Sequence, residues 1–180
     1  MKKNVLVFGL IAGLIVSCMM LYSVSQCYTR EDFDGSMVLG YAGMIVAFSM
    51  IFVGIKNFRD KYNNGTITFG KAFKIGLYIC LVASTMYVLV WIVDYYFFVP
   101  DFMDKYTAHM LRKAQTSGAT QQELQQQAAE LARNKEMYKN PILMILFTYL
   151  EILPVGLVIA LISAAILKRK SKGPVAAPAR

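Results

Sequence analysis

Four stretches of the chain are apolar on every face instead of on one. They cover residues 5–25, 36–55, 75–93 and 142–167, and Glu151 is the one charged residue in any of them. The third continues apolar to residue 99 apart from Asp94. A helix needs about 20 such residues to cross a hydrocarbon core ~30 Å thick. The pattern therefore predicts an all-α membrane protein with four transmembrane helices, spanning about 5–25, 36–55, 75–99 and 142–167. Residues 1–170 form a single membrane domain in this reading.

Small residues recur every fourth position on each span: Gly9, Gly13 and Ser17; Ser36 and Gly40; Gly43 and Ala47; Gly76, Cys80 and Ser84; Gly156, Ala160 and Ala164. In lipid, helices associate by close packing, and such stripes let backbones approach. A compact bundle is expected. The first connection, QCYTREDFDG, is short and makes spans one and two a tight hairpin. The second holds Asn63-Asn64-Gly65, residues that tolerate a positive φ and favour a turn. After it Phe69 and Phe73 interleave with Lys71 and Lys74, a segment suited to the headgroup level before span three. Trp91 and the run 95–98 suit an interfacial aromatic belt.

The connection at 100–140 differs in character. Phe102, Tyr106 and Met110 repeat at helical spacing, Ser117-Gly118 marks a turn, and Thr120 with Glu123 has the form of a capping box. Leu124, Ala128, Leu131 and Tyr138 then repeat at helical spacing. Asn140 can cap span four, with Pro141 at its first position. The segment reads as a helical hairpin standing on spans three and four, its apolar stripes packed on each other. Partner binding by those stripes is the other reading.

Composition agrees: 57% of the 180 residues are hydrophobic, against about 45–50% in soluble domains. The net charge of +8 changes the picture through its placement. The N-terminus, the 56–74 connection and the C-terminus carry twelve of the 19 basic residues and one acid, Asp60. The other two connections carry seven basic and eight acidic residues. This is the positive-inside asymmetry. It predicts both termini in the cytoplasm, the hairpin in the periplasm, and residues 171–180 as a disordered cytoplasmic tail. Anionic lipid is the expected counter-charge for Lys56, Arg59, Lys61, Lys71, Lys74, Lys168, Arg169 and Lys170. So distributed, the charge points to membrane lipid and away from nucleic acid.

The segments FVGIKNFRDKYNNGTITFGKAFKIGL, YYFFVPDFMDKY and EMYKNPILMILFTYLEILPVGLVIALISAAILKRK resemble the family catalogued as domain of unknown function 4199. That resemblance covers most of residues 1–170. It implies a small four-span inner-membrane protein of a Gram-negative bacterium. It implies no activity and no catalytic residue.

Candidate chemistry is sparse. There is no HExxH, CxxC, GxSxG or P-loop, and His109 is the sole histidine. No enzymatic role, metal or other cofactor is expected. The three cysteines do not form a framework: Cys18 and Cys80 belong at different depths, Cys27 stands alone outside, and Cys80 reads as a small packing residue. The IVSC box ending at Cys18 resembles a lipoprotein cleavage site, but the apolar run continues past it and makes a full span.

What remains is a pair of intramembrane carboxylates. Glu151 lies nine residues in from Ile142, about 14 Å deep at ~1.5 Å per residue. A carboxyl there faces a bundle interior. No basic residue lies within the spans to pair with it, so a neutral carboxyl bonded to Ser17, Tyr87 or Trp91 at similar depth is expected. Glu151→Leu should then cost about 0.6–2 kcal/mol, the range for interhelical bonds in membranes. Pro154 removes a backbone donor and frees the Leu150 carbonyl, which predicts a kinked, locally polar spot. Asp94 is shallower, where water can reach it. Two functions follow from these residues. One is a non-enzymatic accessory or scaffold protein, with a membrane-protein partner or a homo-oligomer. The other is a small proton, cation or solute conduit through Glu151 and Asp94.

Overall fold

The computed structural model describes residues 1–30 and 33–169, with the side chains of 30 and 34–37 left aside. Expectations for Lys170 and for the tail at 171–180 lie outside the described residues. Six helices are present: α1 (Lys2–Arg30), α2 (Asp34–Tyr62), α3 (Phe69–Phe97), α4 (Phe102–Thr116), α5 (Gln121–Tyr138) and α6 (Pro141–Leu167). The chain's only pairing outside helices, among the described residues, is a bridge between Ile67 and Arg169. Helices α1, α2, α3 and α6 are each long and apolar enough to cross a membrane.

Helices α1 and α2 run past both boundaries that hydrophobicity alone suggests and α3 starts before its own, because polar flanks continue a helix as well as apolar residues do. Helix α6 keeps the expected bounds to within one residue. Phe69–Lys74 is the first turn and a half of α3 itself. Thr68 caps that start by accepting from the Lys71 amide. Asn64 and Gly65 both take positive φ, 50° and 72°, in the turn before it.

Helix α1 packs on α2 and α3, and α6 packs on α3 and α2, so α1 and α6 sit diagonally. The small stripes make these contacts. A Cβ on Gly9 would lie 2.7 Å from Val82, and one on Gly156 would overlap the Cys80 sulfur and sit 3.0 Å from Phe48. Cys80 thus serves as a small residue, with Ser84 3.9 Å away. Gly40 is the exception, since a Cβ there meets nothing within 4 Å. Facing outward are Leu10, Leu14, Ile45, Leu89, Leu150 and Ile162, all more than two-fifths exposed. A molecule apolar on its outside as well as its inside is built for lipid.

The end of the bundle where α1 begins and α6 finishes is closed by polar ties. The Asn4 side chain donates to the Gly54 carbonyl at 3.0 Å. Arg59 pairs with Asp60 and donates to the Leu167 carbonyl at 3.4 Å. The Ile67–Arg169 bridge fastens the chain after α6 to the α2–α3 connection. Lys56, Lys61, Lys71, Lys74, Lys168 and Arg169 are exposed at this end, while Arg59 is half-buried. Lys71 is engaged within the fold, bonded to Asn63 at 2.6 Å and lying over the Phe58 ring.

At the opposite end α4 and α5 pack as a hairpin. Both halves of the capping box between Thr120 and Glu123 are formed, Gly118 turns at φ 80°, and Asn140 caps α6 with Pro141 at its first turn. Lys135 of α5 pairs with Asp104 of α4. The stripes do more than meet each other. Phe102 and Tyr106 meet Phe33 edge to face, and Phe102 packs edge to face with Trp91 at 5.2 Å. Trp91 is therefore buried beneath the hairpin, while Tyr96, Phe97 and Phe98 stay exposed where a belt would lie. The Tyr28 hydroxyl donates to Asp101 at 2.7 Å, and Lys105 pairs with Asp101 while its ammonium lies 3.9 Å from the Tyr28 ring centroid.

Candidate functional site: a capped cavity around Glu151

Under the hairpin the four long helices part around a cavity of about 520 Å³. All six helices contribute to its wall: Met20 and Val24 from α1, Tyr41 and Met44 from α2, and Tyr87 and Trp91 from α3. Phe102 and Tyr106 of α4 and Met137 and Tyr138 of α5 form its cap, and Phe147, Thr148 and Glu151 come from α6. The depth reckoning explains the grouping. Residues about nine positions in from the hairpin end of each span meet at one level, and Val16, Met44 and Trp91 join Glu151 there.

Glu151 is exposed and lines the cavity. Among the described residues it is the only charged side chain in the wall. It lies in electrostatic reach of the Tyr87 and Tyr138 phenols. Burial pushes the Tyr138 phenol up to about 12, with the Glu151 carboxylate adding to the rise. Tyr138 therefore keeps its proton at neutral pH and remains a donor. Thr148 spends its hydroxyl on the Met144 carbonyl of its own helix, 2.8 Å away.

The other residues singled out from the sequence separate. Tyr87 and Trp91 share the cavity with Glu151. Ser17 is buried on the α1 face that meets α3, and its hydroxyl has no partner; no bond joins it to Glu151. Asp94 is buried at 7% exposure with its Oδ2 unpartnered, in place of the water-accessible position expected from its depth. It stands outside the cavity wall. Packing of α3 between its neighbours hides a group that the sequence places near an interface. Pro154 is exposed and also outside the wall, and α6 is helical straight through it. The polar spot at Glu151 lies where the helices stand apart.

Among the wall residues that sequence reasoning missed are Tyr41, Tyr138, Asn134 and Phe33. Tyr138 carried a signal, being an aromatic two residues before a span and on a helical stripe. Tyr41 did not, because one tyrosine among apolar neighbours is also what an interfacial residue looks like. Cys27, expected outside, is buried at the hairpin end of α1 and lines the cavity. No group of three or more His, Cys, Asp or Glu comes together among the described residues.

The chain belongs to the family described as "Protein of unknown function (DUF4199)", which matches residues 7–169. Neither the curated proteins nor the solved structures include one that matches it.

Proposed function

We propose that this is a non-enzymatic accessory or scaffold protein of the bacterial inner membrane, with both termini cytoplasmic and the α4–α5 hairpin periplasmic. The reading is supported by one observation above others: the cavity ends blindly. Below Glu151 the space between helices is filled by Phe48, Ile51, Ile79, Cys80, Ile152 and Ala160, none with any accessible surface. A bundle sealed this way presents surfaces and a chamber and offers no path across. The basic rim at the end where α1 begins and α6 finishes supports the orientation, since such flanks are retained on the cytoplasmic side and find anionic lipid there.

The conduit reading requires flux. Purified protein in liposomes should pass neither protons nor alkali cations above the rate of empty vesicles. Flux that is lost on Glu151→Gln would overturn the accessory reading. Orientation has its own test: thiol labelling from outside the cell should modify Ser117→Cys and spare Asn64→Cys. A partner recovered in fixed proportion after gentle purification from the native membrane would then say what is being assisted.

A further inference from the structure

We propose that the cavity beneath the hairpin binds an amphiphilic organic cation, an amine or quaternary ammonium carried on an apolar body. Charge decides the sign. Among the described residues, Glu151 is the single charged group in the wall, and no lysine, arginine or histidine faces it there. A carboxylate at this depth is costly without a counter-charge, and none of the described wall residues supplies one. A phosphate headgroup is disfavoured for the same reason, since nothing basic would hold it beside Glu151.

The neighbours of the carboxylate decide the class. Tyr41, Tyr87, Trp91 and Tyr138 share the wall with it, and aromatic faces attract organic cations. The rest of the wall is mostly apolar, with Ser23, Asn134 and Thr148 as polar members, and includes four methionines, Met20, Met44, Met103 and Met137. Such side chains adapt to varied apolar bodies. A volume of about 520 Å³ falls within the ~300–1,000 Å³ usual for small-molecule sites and far exceeds a bare ion.

The route in is lateral. The exposed wall residues Tyr41, Asn134 and Glu151 mark a mouth between α2, α5 and α6. Val38, Ile45, Leu146 and Leu150, exposed beside it, are lipid-facing. An amphiphile already partitioned in the bilayer can slide its charged end to Glu151 without crossing water.

Trp91 is the chain's only tryptophan and stands in the wall, so it reports occupancy directly. The full-length protein in lipid nanodiscs is titrated with dansylcadaverine, and energy transfer from Trp91 to the dansyl group is followed. Its uncharged N-acetyl analogue and anionic dansyl-aminohexanoate serve as controls. The expected result is saturable transfer with the amine, and at least ~10-fold weaker binding of both controls, as loss of a charge-assisted contact implies. Glu151→Gln should weaken the amine by a similar factor and leave the N-acetyl analogue unchanged. Gly40→Leu, which fills open space at the wall without touching the carboxylate, should weaken all three. Transfer that never saturates, equal binding of amine and N-acetyl analogue, or an amine affinity indifferent to both substitutions overturns the proposal.

Discussion

The two halves of the bundle are made by the same four helices and packed in opposite ways. Toward the termini, α3 presents Gly76, Cys80 and Ala83, and α6 presents Gly156, Ala160 and Ala164. Backbones close on one another, and Phe48, Ile51 and Ile55 of α2 fill what space is left without any exposed surface. Toward the hairpin, α3 presents Tyr87 and Trp91, α6 presents Phe147 and Glu151, and α2 presents Tyr41 and Met44. Large or polar side chains hold the helices apart, and the hairpin roofs the gap. The contrast teaches that side-chain size along one face sets where a membrane bundle is solid and where it is hollow. In lipid there is no hydrophobic drive to close a gap, so a chamber persists where small residues stop.

Breaking the solid half should cost most. Phe48→Ala removes a fully buried ring and should destabilise by about 3–5 kcal/mol. Phe147→Ala, beside a cavity that already exists, should cost under about 1 kcal/mol. Thermal unfolding in detergent compares the two directly, and equal losses would erase the distinction. Gly156→Val should come next, at about 1–3 kcal/mol, since its side chain must displace Cys80 and Phe48. The matched change Gly40→Ala meets open space and should leave the melting temperature unchanged or slightly higher.

Smaller effects sharpen the picture of the roof. Tyr28→Phe loses the bond to Asp101 and should weaken the α4 anchor by about 0.5–1.5 kcal/mol. Faster hydrogen exchange in α4, with the amides around Ile79 unchanged, is the expected signature. Glu151→Leu should cost less than ~0.6 kcal/mol, the low end for interhelical bonds, because no bond ties Glu151 to Ser17, Tyr87 or Trp91. That departs from the cost expected from the sequence, and a loss near 2 kcal/mol would restore a structural role for the carboxyl.

The smallest effect is one of pH. The Tyr28 hydroxyl, first, and then Lys105 hold the Asp101 carboxyl below the usual carboxylate range. A depressed folded value means its contribution is present above the unfolded value of ~3.9 and is lost as pH falls through the lower folded value. Exchange in α4 should accelerate on acidification across that window, and Asp101→Asn should remove the dependence.

Much of this fold is legible along the chain because its signals are local. Uncharged runs mark the spans, Thr120 and Glu123 mark the start of α5, and Asn140-Pro141 marks the start of α6. The small stripes at Gly9, Gly76 and Gly156 point to close approach correctly. Gly40 breaks that rule, since an identical spacing can equally serve an open wall. The site was half legible: depth counting brought Glu151, Tyr87 and Trp91 to one level. Depth carries no azimuth, however, so Ser17, Asp94 and Pro154 belong near the same level or boundary yet face elsewhere. The roof is the least legible part. The ring contacts of Phe33 with Phe102 and Tyr106 join residues some 70 positions apart, which no periodicity encodes.

Adjacent residues on α6 offer the most direct test of a hollow half above a solid one. Glu151 lines the cavity and is exposed, whereas Ile152 has no accessible surface. In a background lacking Cys18, Cys27 and Cys80, Glu151→Cys and Ile152→Cys are treated in membranes with a small cationic methanethiosulfonate, and modification is followed by mass. The thiol at 151 should react within the reagent's lifetime and the one at 152 should stay intact until the protein is unfolded. Comparable rates at the two positions, both fast or both negligible, would contradict the account.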